Sequence, residues 1–142
     1  MFKKILFTYN MNEENFANKA LEVAILQTRT NEAELHIMTV IPGFHMPLVA
    51  SYFPEDAMNA ALKAVEDKLN GYIRDHIPED IHPIIHVGIG KPYRQVLAYQ
   101  KKIGADLIVM QSHNPTKMRN IMIGSVASKV VEYAPVSVMV IR

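Results

Sequence analysis

The residues best placed to do chemistry lie in the last quarter of the chain. An apolar run, Asp106-Leu-Ile-Val-Met-Gln, leads into the polar stretch Ser112-His113-Asn114-Pro115-Thr116-Lys117-Met118-Arg119-Asn120. Then come Ile-Met-Ile-Gly124-Ser125-Val126-Ala-Ser-Lys-Val-Val-Glu-Tyr-Ala and a closing apolar run from Pro135 to Arg142. The order reads as buried strand, polar loop, Gly-Ser at a helix start, short helix, buried strand. A loop that feeds Gly124-Ser125 into a helix presents free backbone N–H groups at the positive end of the helix dipole. Such a place holds anions, and in an α/β fold the anion is usually a phosphate.

Other chemistries find less support. With no cysteine in the chain, disulfides, thiolate zinc sites and cysteine nucleophiles are excluded. No serine, histidine and carboxylate set can be placed by spacing, so nucleophilic catalysis has no footing, and the chain reads as a binding protein, not an enzyme. His36, His82 and His86 fall on expected strands and read as sheet residues, not metal ligands. Gly88-Ile89-Gly90-Lys91-Pro92 reads as a turn, and the nine methionines read as packing.

The elements that must position the loop follow from periodicity. Residues 5–9, 34–41, 81–88, 106–110 and 136–141 have strand length and composition. Pro83 inside the third argues for a sheet edge. Between them run three helical patterns before the Gly124-Ser125 helix. Asn12 caps the first, with Phe16, Ala20, Val23, Ala24 and Gln27 on one face. The second spans 55–76. The third spans 93–103 and is closed by Gly104. Strict β-α alternation with continuous apolar strands means a doubly wound α/β domain, here a five-stranded parallel sheet covered by helices on both faces. Right-handed crossovers and the edge character of strand 3 give the order 3-2-1-4-5. The switch point then lies between strands 1 and 4, where residues 8–10, 40–43 and 110–114 converge. Residues 42–54, with three prolines and no helical period, form an expected long loop that is functional or mobile.

Bulk numbers agree. One domain over residues 1–142 is expected from the length, and 49% hydrophobic with 20% charged residues describes a globular chain. Fifteen basic and 14 acidic side chains leave a net charge of +1, which gives no footprint for nucleic acid or a membrane surface. No apolar run reaches the ~18 residues of a membrane span, and the N-terminus lacks a signal-peptide core, so a cytoplasmic protein is expected.

Over its whole length the chain resembles the universal stress protein family. That family's signature is Gly, two residues, Gly, nine residues, then Gly-Ser or Gly-Thr after strand 4. Here Gln111 and Asn114 stand in that spacing before Gly124-Ser125; the residue types match only at the last pair. The opening Lys-Lys-Ile-Leu-Phe-Thr-Tyr-Asn and the closing Val-Met-Val-Ile-Arg are also similar. The resemblance implies an adenine-nucleotide-hydrolase-like fold. It also implies a homodimer paired through the last strand, and ATP or AMP, with or without Mg²⁺, bound at the switch point and not required for folding. Thr8, Asn10 and Val40 would then hold the nucleoside. Met110, Gln111, Asn114, Gly124, Ser125 and Val126 would line the phosphates, mostly through backbone. Asn10 stands where nucleotide-binding relatives carry an aspartate, and Gln111 and Asn114 replace two glycines. These changes keep a second expectation open: a nucleotide-free interaction module with a protein partner.

Overall fold

The computed structural model describes residues 1–11, 14–42, 55–112 and 123–142. In chain order the elements are β1 (Lys4–Thr8), α1 (Glu14–Asn31), β2 (Glu34–Pro42), α2 (Glu55–His76), β3 (Ile84–Gly90), α3 (Pro92–Ile103), β4 (Leu107–Gln111), α4 (Ser125–Tyr133) and β5 (Ser137–Ile141). The strands form one parallel sheet in the order β3-β2-β1-β4-β5, as the alternation predicts. None of the described helices is long and apolar enough to cross a membrane.

Two cores form because successive strand residues face opposite sides of the sheet. On one side Ile5 and Phe7 of β1, Leu35 and Ile37 of β2, and Leu107 and Val109 of β4 meet Ala20, Leu21 and Ala24 of α1 and Leu69 and Tyr72 of α2. On the other, Leu6, Met38, Ile108 and Met110 meet Val96 and Tyr99 of α3 and Ala127 and Val130 of α4. Strands buried on both faces must read as continuous apolar runs, which is how they read in the sequence.

The central strands are held in register at their amino ends. The Asp106 carboxylate accepts the Lys3 N–H at 2.9 Å and the Lys4 N–H at 3.0 Å. Gly104 ends α3 in the left-handed conformation (φ 70°, ψ 35°), its N–H on Gln100 O at 2.9 Å. The buried Gln100 side chain then donates to Ala105 O at 2.7 Å, fixing the turn into β4.

Strand 3 differs from the sequence expectation, starting after Pro83 and running on through Gly88 and Gly90. Proline has no N–H for the ladder, so pairing begins beyond it. The glycines read as a turn, but β2 extends far enough to pair Val40, Ile41 and Pro42 with Gly88, Ile89 and Gly90. His82 therefore lies outside the strand. The Asn12 cap, residues 43–54 of the long loop, and His113, Asn114, Lys117 and Arg119 lie outside the described residues.

Candidate functional site

At the carboxyl ends of β1, β2 and β4 lies a cavity of about 230 Å³. Thr8, Tyr9 and Asn10 enter it from the end of β1, Met38, Val40 and Pro42 from β2, and Met110 and Gln111 from β4. Gly124, Ser125, Val126 and Ala127 enter it from the start of α4, with Pro92 and Val96 of α3 and Ala17 of α1 completing the wall. This is the switch point of the sheet, where the chain leads from β1 to β2 on one side and from β4 to β5 on the other. Eight of the nine residues named from the sequence line this one cavity. The ninth, Asn114, lies outside the described residues.

Its donors come from α4. Gly124, the N-cap, is extended (φ −51°, ψ 159°) and makes no side-chain cap bond. Ser125 is therefore the first helical residue and not the cap that its type suggests. The first helical hydrogen bond is Ser128 N–H to Gly124 O, at 2.9 Å. The N–H groups of Ser125, Val126 and Ala127 thus precede the helical ladder and have no acceptor within it. All three residues line the cavity.

The described lining bears hydroxyls, amides and apolar groups but no charged side chain. An anion here is met by helix N–H groups and the dipole, which is equivalent to roughly half a positive charge. Among the described residues no group of three or more His, Asp or Glu is arranged to hold a metal.

Two walls are braced from behind. Tyr9 is 3% exposed and stacks on Tyr72 of α2 with ring centroids 4.2 Å apart. Tyr72 stacks in turn on His76, again at 4.2 Å, and its hydroxyl donates to Asn18 Oδ1 at 3.0 Å. Behind Met38, the buried His36 shares hydrogen bonds with Glu34 and with Tyr99, and His86 stacks on Tyr99 at 4.0 Å. Burial pushes the Tyr99 phenol up, helped by the Glu34 charge. Burial also pushes His86 down, helped by Lys102. Both strand histidines pack against Tyr99 as sheet residues, as the sequence suggests for His36 and His86.

Gln111 is the lining residue whose role the sequence leaves open. It stands at the end of β4, paired in register with Ile141. Its side-chain oxygen is buried without a hydrogen-bond partner. A buried acceptor left unmade costs about 1–3 kcal/mol. Tyr9 and Pro42 fall within the strand ends expected at the switch point, whereas Ala17, Met38, Pro92, Val96 and Ala127 escaped sequence reasoning, because an apolar residue facing a cavity looks the same as one facing a core.

The description "Universal stress protein family" belongs to a family model that matches residues 1–142. Universal stress protein G of Shigella flexneri is 25% identical over 148 residues, with all of both chains covered. The solved structure of a universal stress protein of Methanocaldococcus jannaschii superposes with a TM-score of 0.78 at 22% identity, covering 99% of this chain and 96% of that one. A universal stress protein of Archaeoglobus fulgidus, solved in complex with dAMP, superposes with a TM-score of 0.67 at 17% identity, covering 99% and 98%.

Proposed function

Since this chain belongs to the universal stress protein family, we propose that it binds an adenine nucleotide, ATP or AMP, in the switch-point cavity. The observation that carries this reading is the row of N–H groups at Ser125, Val126 and Ala127, opening onto a cavity that Thr8 and Val40 also line. The phosphate nearest the sugar rests on those N–H groups. The nucleoside lies toward β1 and β2, where Val40 offers backbone and Thr8 and Asn10 offer a hydroxyl and an amide. The dAMP complex of the Archaeoglobus fulgidus relative supports the choice of ligand.

The output we propose is a ligand-dependent change of shape or partner and not turnover. The described lining carries no imidazole or carboxylate to act as a general base. The working unit is a homodimer. β5 is an edge strand of the sheet, and an open edge of apolar sequence invites pairing with a second copy.

Ser125→Asp tests the reading. An acid in the first turn suits the helix dipole, so the fold is expected to hold or gain slightly. The same charge repels a phosphate. The reading requires nucleotide affinity to fall at least tenfold with no loss of melting temperature. Unchanged affinity would remove the phosphate from α4.

One observation favours a second reading, a nucleotide-free interaction module. Gln111 places a side chain in the lining where relatives carry glycine, and its amide oxygen is buried there. Gln111→Gly separates the two. A modest change in an existing affinity supports the sensor; binding that appears only in the variant supports the module.

A further inference from the structure

Three cations gather on one aromatic ring at the start of α3. Around the ring of Tyr93 stand Lys129 Nζ at 4.8 Å from the centroid, Lys91 Nζ at 5.4 Å and Arg94 Cζ at 5.9 Å. Arg94 Nε also donates to the Tyr93 hydroxyl at 3.1 Å. Tyr133 of α4 stacks on the same ring, with centroids 6.2 Å apart. Among the described residues none of the three cations forms an ion pair with a carboxylate.

Their placement opposes helix electrostatics. Lys91 is the N-cap of α3, Arg94 lies in its first turn, and that turn holds no acid. A positive side chain at the positive end of a helix is unfavourable, and three like charges around one ring repel one another. A solvated surface would spread these charges apart, whereas here an aromatic ring gathers them.

Position says what they face. Pro92, between Lys91 and Tyr93, lines the cavity. Ser125 lines it too, and Lys129 is four residues on, on the same face of α4 and about 6 Å along its axis. Lys91 is next in sequence to one lining residue and Lys129 one helical turn from another, which sets the group on the α3–α4 side of the cavity. Helix α4 alone brings roughly half a positive charge, which suits one phosphate. A polyphosphate that continues outward from that point needs further countercharge.

We propose that Lys91, Arg94 and Lys129, held around Tyr93, form a clamp for the distal phosphates of the bound nucleotide, so that the site prefers ATP to AMP. The proposal rests on the nucleotide reading above and adds to it a residue set and a ligand preference.

The test is calorimetry at low salt with AMP and with ATP, on the parent and on the triple variant Lys91→Ala, Arg94→Ala, Lys129→Ala. The parent is expected to bind ATP about tenfold more tightly than AMP, as three partly screened charge pairs allow. In the variant that advantage disappears while AMP affinity stays within about twofold, which also shows that the variant is folded. ATP affinity that survives the triple change, with AMP still binding, overturns the clamp and leaves the nucleotide reading standing. Binding of neither nucleotide to the parent overturns both. Inorganic tripolyphosphate gives an independent readout. The Arg94 hydrogen bond, with the Lys91 and Lys129 charges, holds the Tyr93 phenol below its usual range. An anion on the clamp raises it again, visible as an ultraviolet titration that Tyr93→Phe removes. A tyrosine titration indifferent to tripolyphosphate contradicts the clamp.

Discussion

Replacing Gly90 by alanine tests how the cavity wall is built. Gly90 ends β3 with φ 136°, a conformation that side-chain-bearing residues rarely adopt, and it pairs with Pro42 of the wall. A Cβ there would meet Gln95 Nε2 at 3.1 Å and Gln95 Cγ at 3.5 Å. Backbone strain of this kind costs about 1–3 kcal/mol. The Gln95 amide can swing aside, so crowding adds little, and we expect a loss of about 2 kcal/mol in total. For 142 residues the unfolding entropy near the melting point is roughly 0.3 kcal/mol/K. The melting temperature should therefore drop by roughly 7 °C in a calorimetric scan. Gly71→Ala is the internal control. Gly71 sits inside α2, and a Cβ there would meet only Arg74 Nη2, at an ordinary 3.7 Å. That change should raise stability by about 0.5–1 kcal/mol. If Gly90→Ala melts within about 1 °C of the parent, the conformation at the end of β3 is not strained for other residues. If the two variants shift in the same direction, backbone conformation is not what sets the sign.

Further expectations concern the sheet's amino end, its core and its edge. Burial alone would push the Asp106 carboxyl up, but the N–H groups of Lys3 and Lys4 outweigh it and hold the group below its usual value. Its contribution is thus present above the unfolded-state pKa and lost as pH falls through the folded value. Asp106→Asn should cost about 1 kcal/mol near neutrality after solvent screening, and shrink the difference between parent and variant toward pH 3. A difference that grows on acidification would contradict this, and urea titrations at several pH values would show it. Val130 is fully buried between α4 and the sheet. Val130→Ala should lower unfolding free energy by about 2 kcal/mol by urea titration, and a loss under about 0.5 kcal/mol would mean α4 is loosely packed. Light scattering should give twice the 16.1 kDa chain mass; a clean monomer at high concentration would refute pairing through β5.

How far the chain explains itself differs from element to element. Sheet order was legible because five apolar runs alternate with helical patterns and Pro83 marks an edge. The end of α3 was legible because Gly104 is a left-handed C-cap. Strand ends were less so. β1 begins at Lys4, where the backbone is anchored by Asp106 from 102 residues away, a partner no local pattern reveals. β3 runs through two glycines because β2 offers them a ladder. At the site, the strand ends and the Gly124-Ser125 pair were legible through topology and the family resemblance, whereas Met38, Pro92 and Val96 were not. Nor were the charges around Tyr93, because Lys91 and Arg94 come from one helix and Lys129 from another.

The measurement that bears most directly on the nucleotide reading is an amide nuclear magnetic resonance titration of nucleotide-stripped protein with AMP. The account predicts saturable shifts that are largest at the N–H groups of Ser125, Val126 and Ala127, with smaller ones at Thr8 and Val40. Saturation with those amides unmoved, or no shift at millimolar AMP, would contradict it.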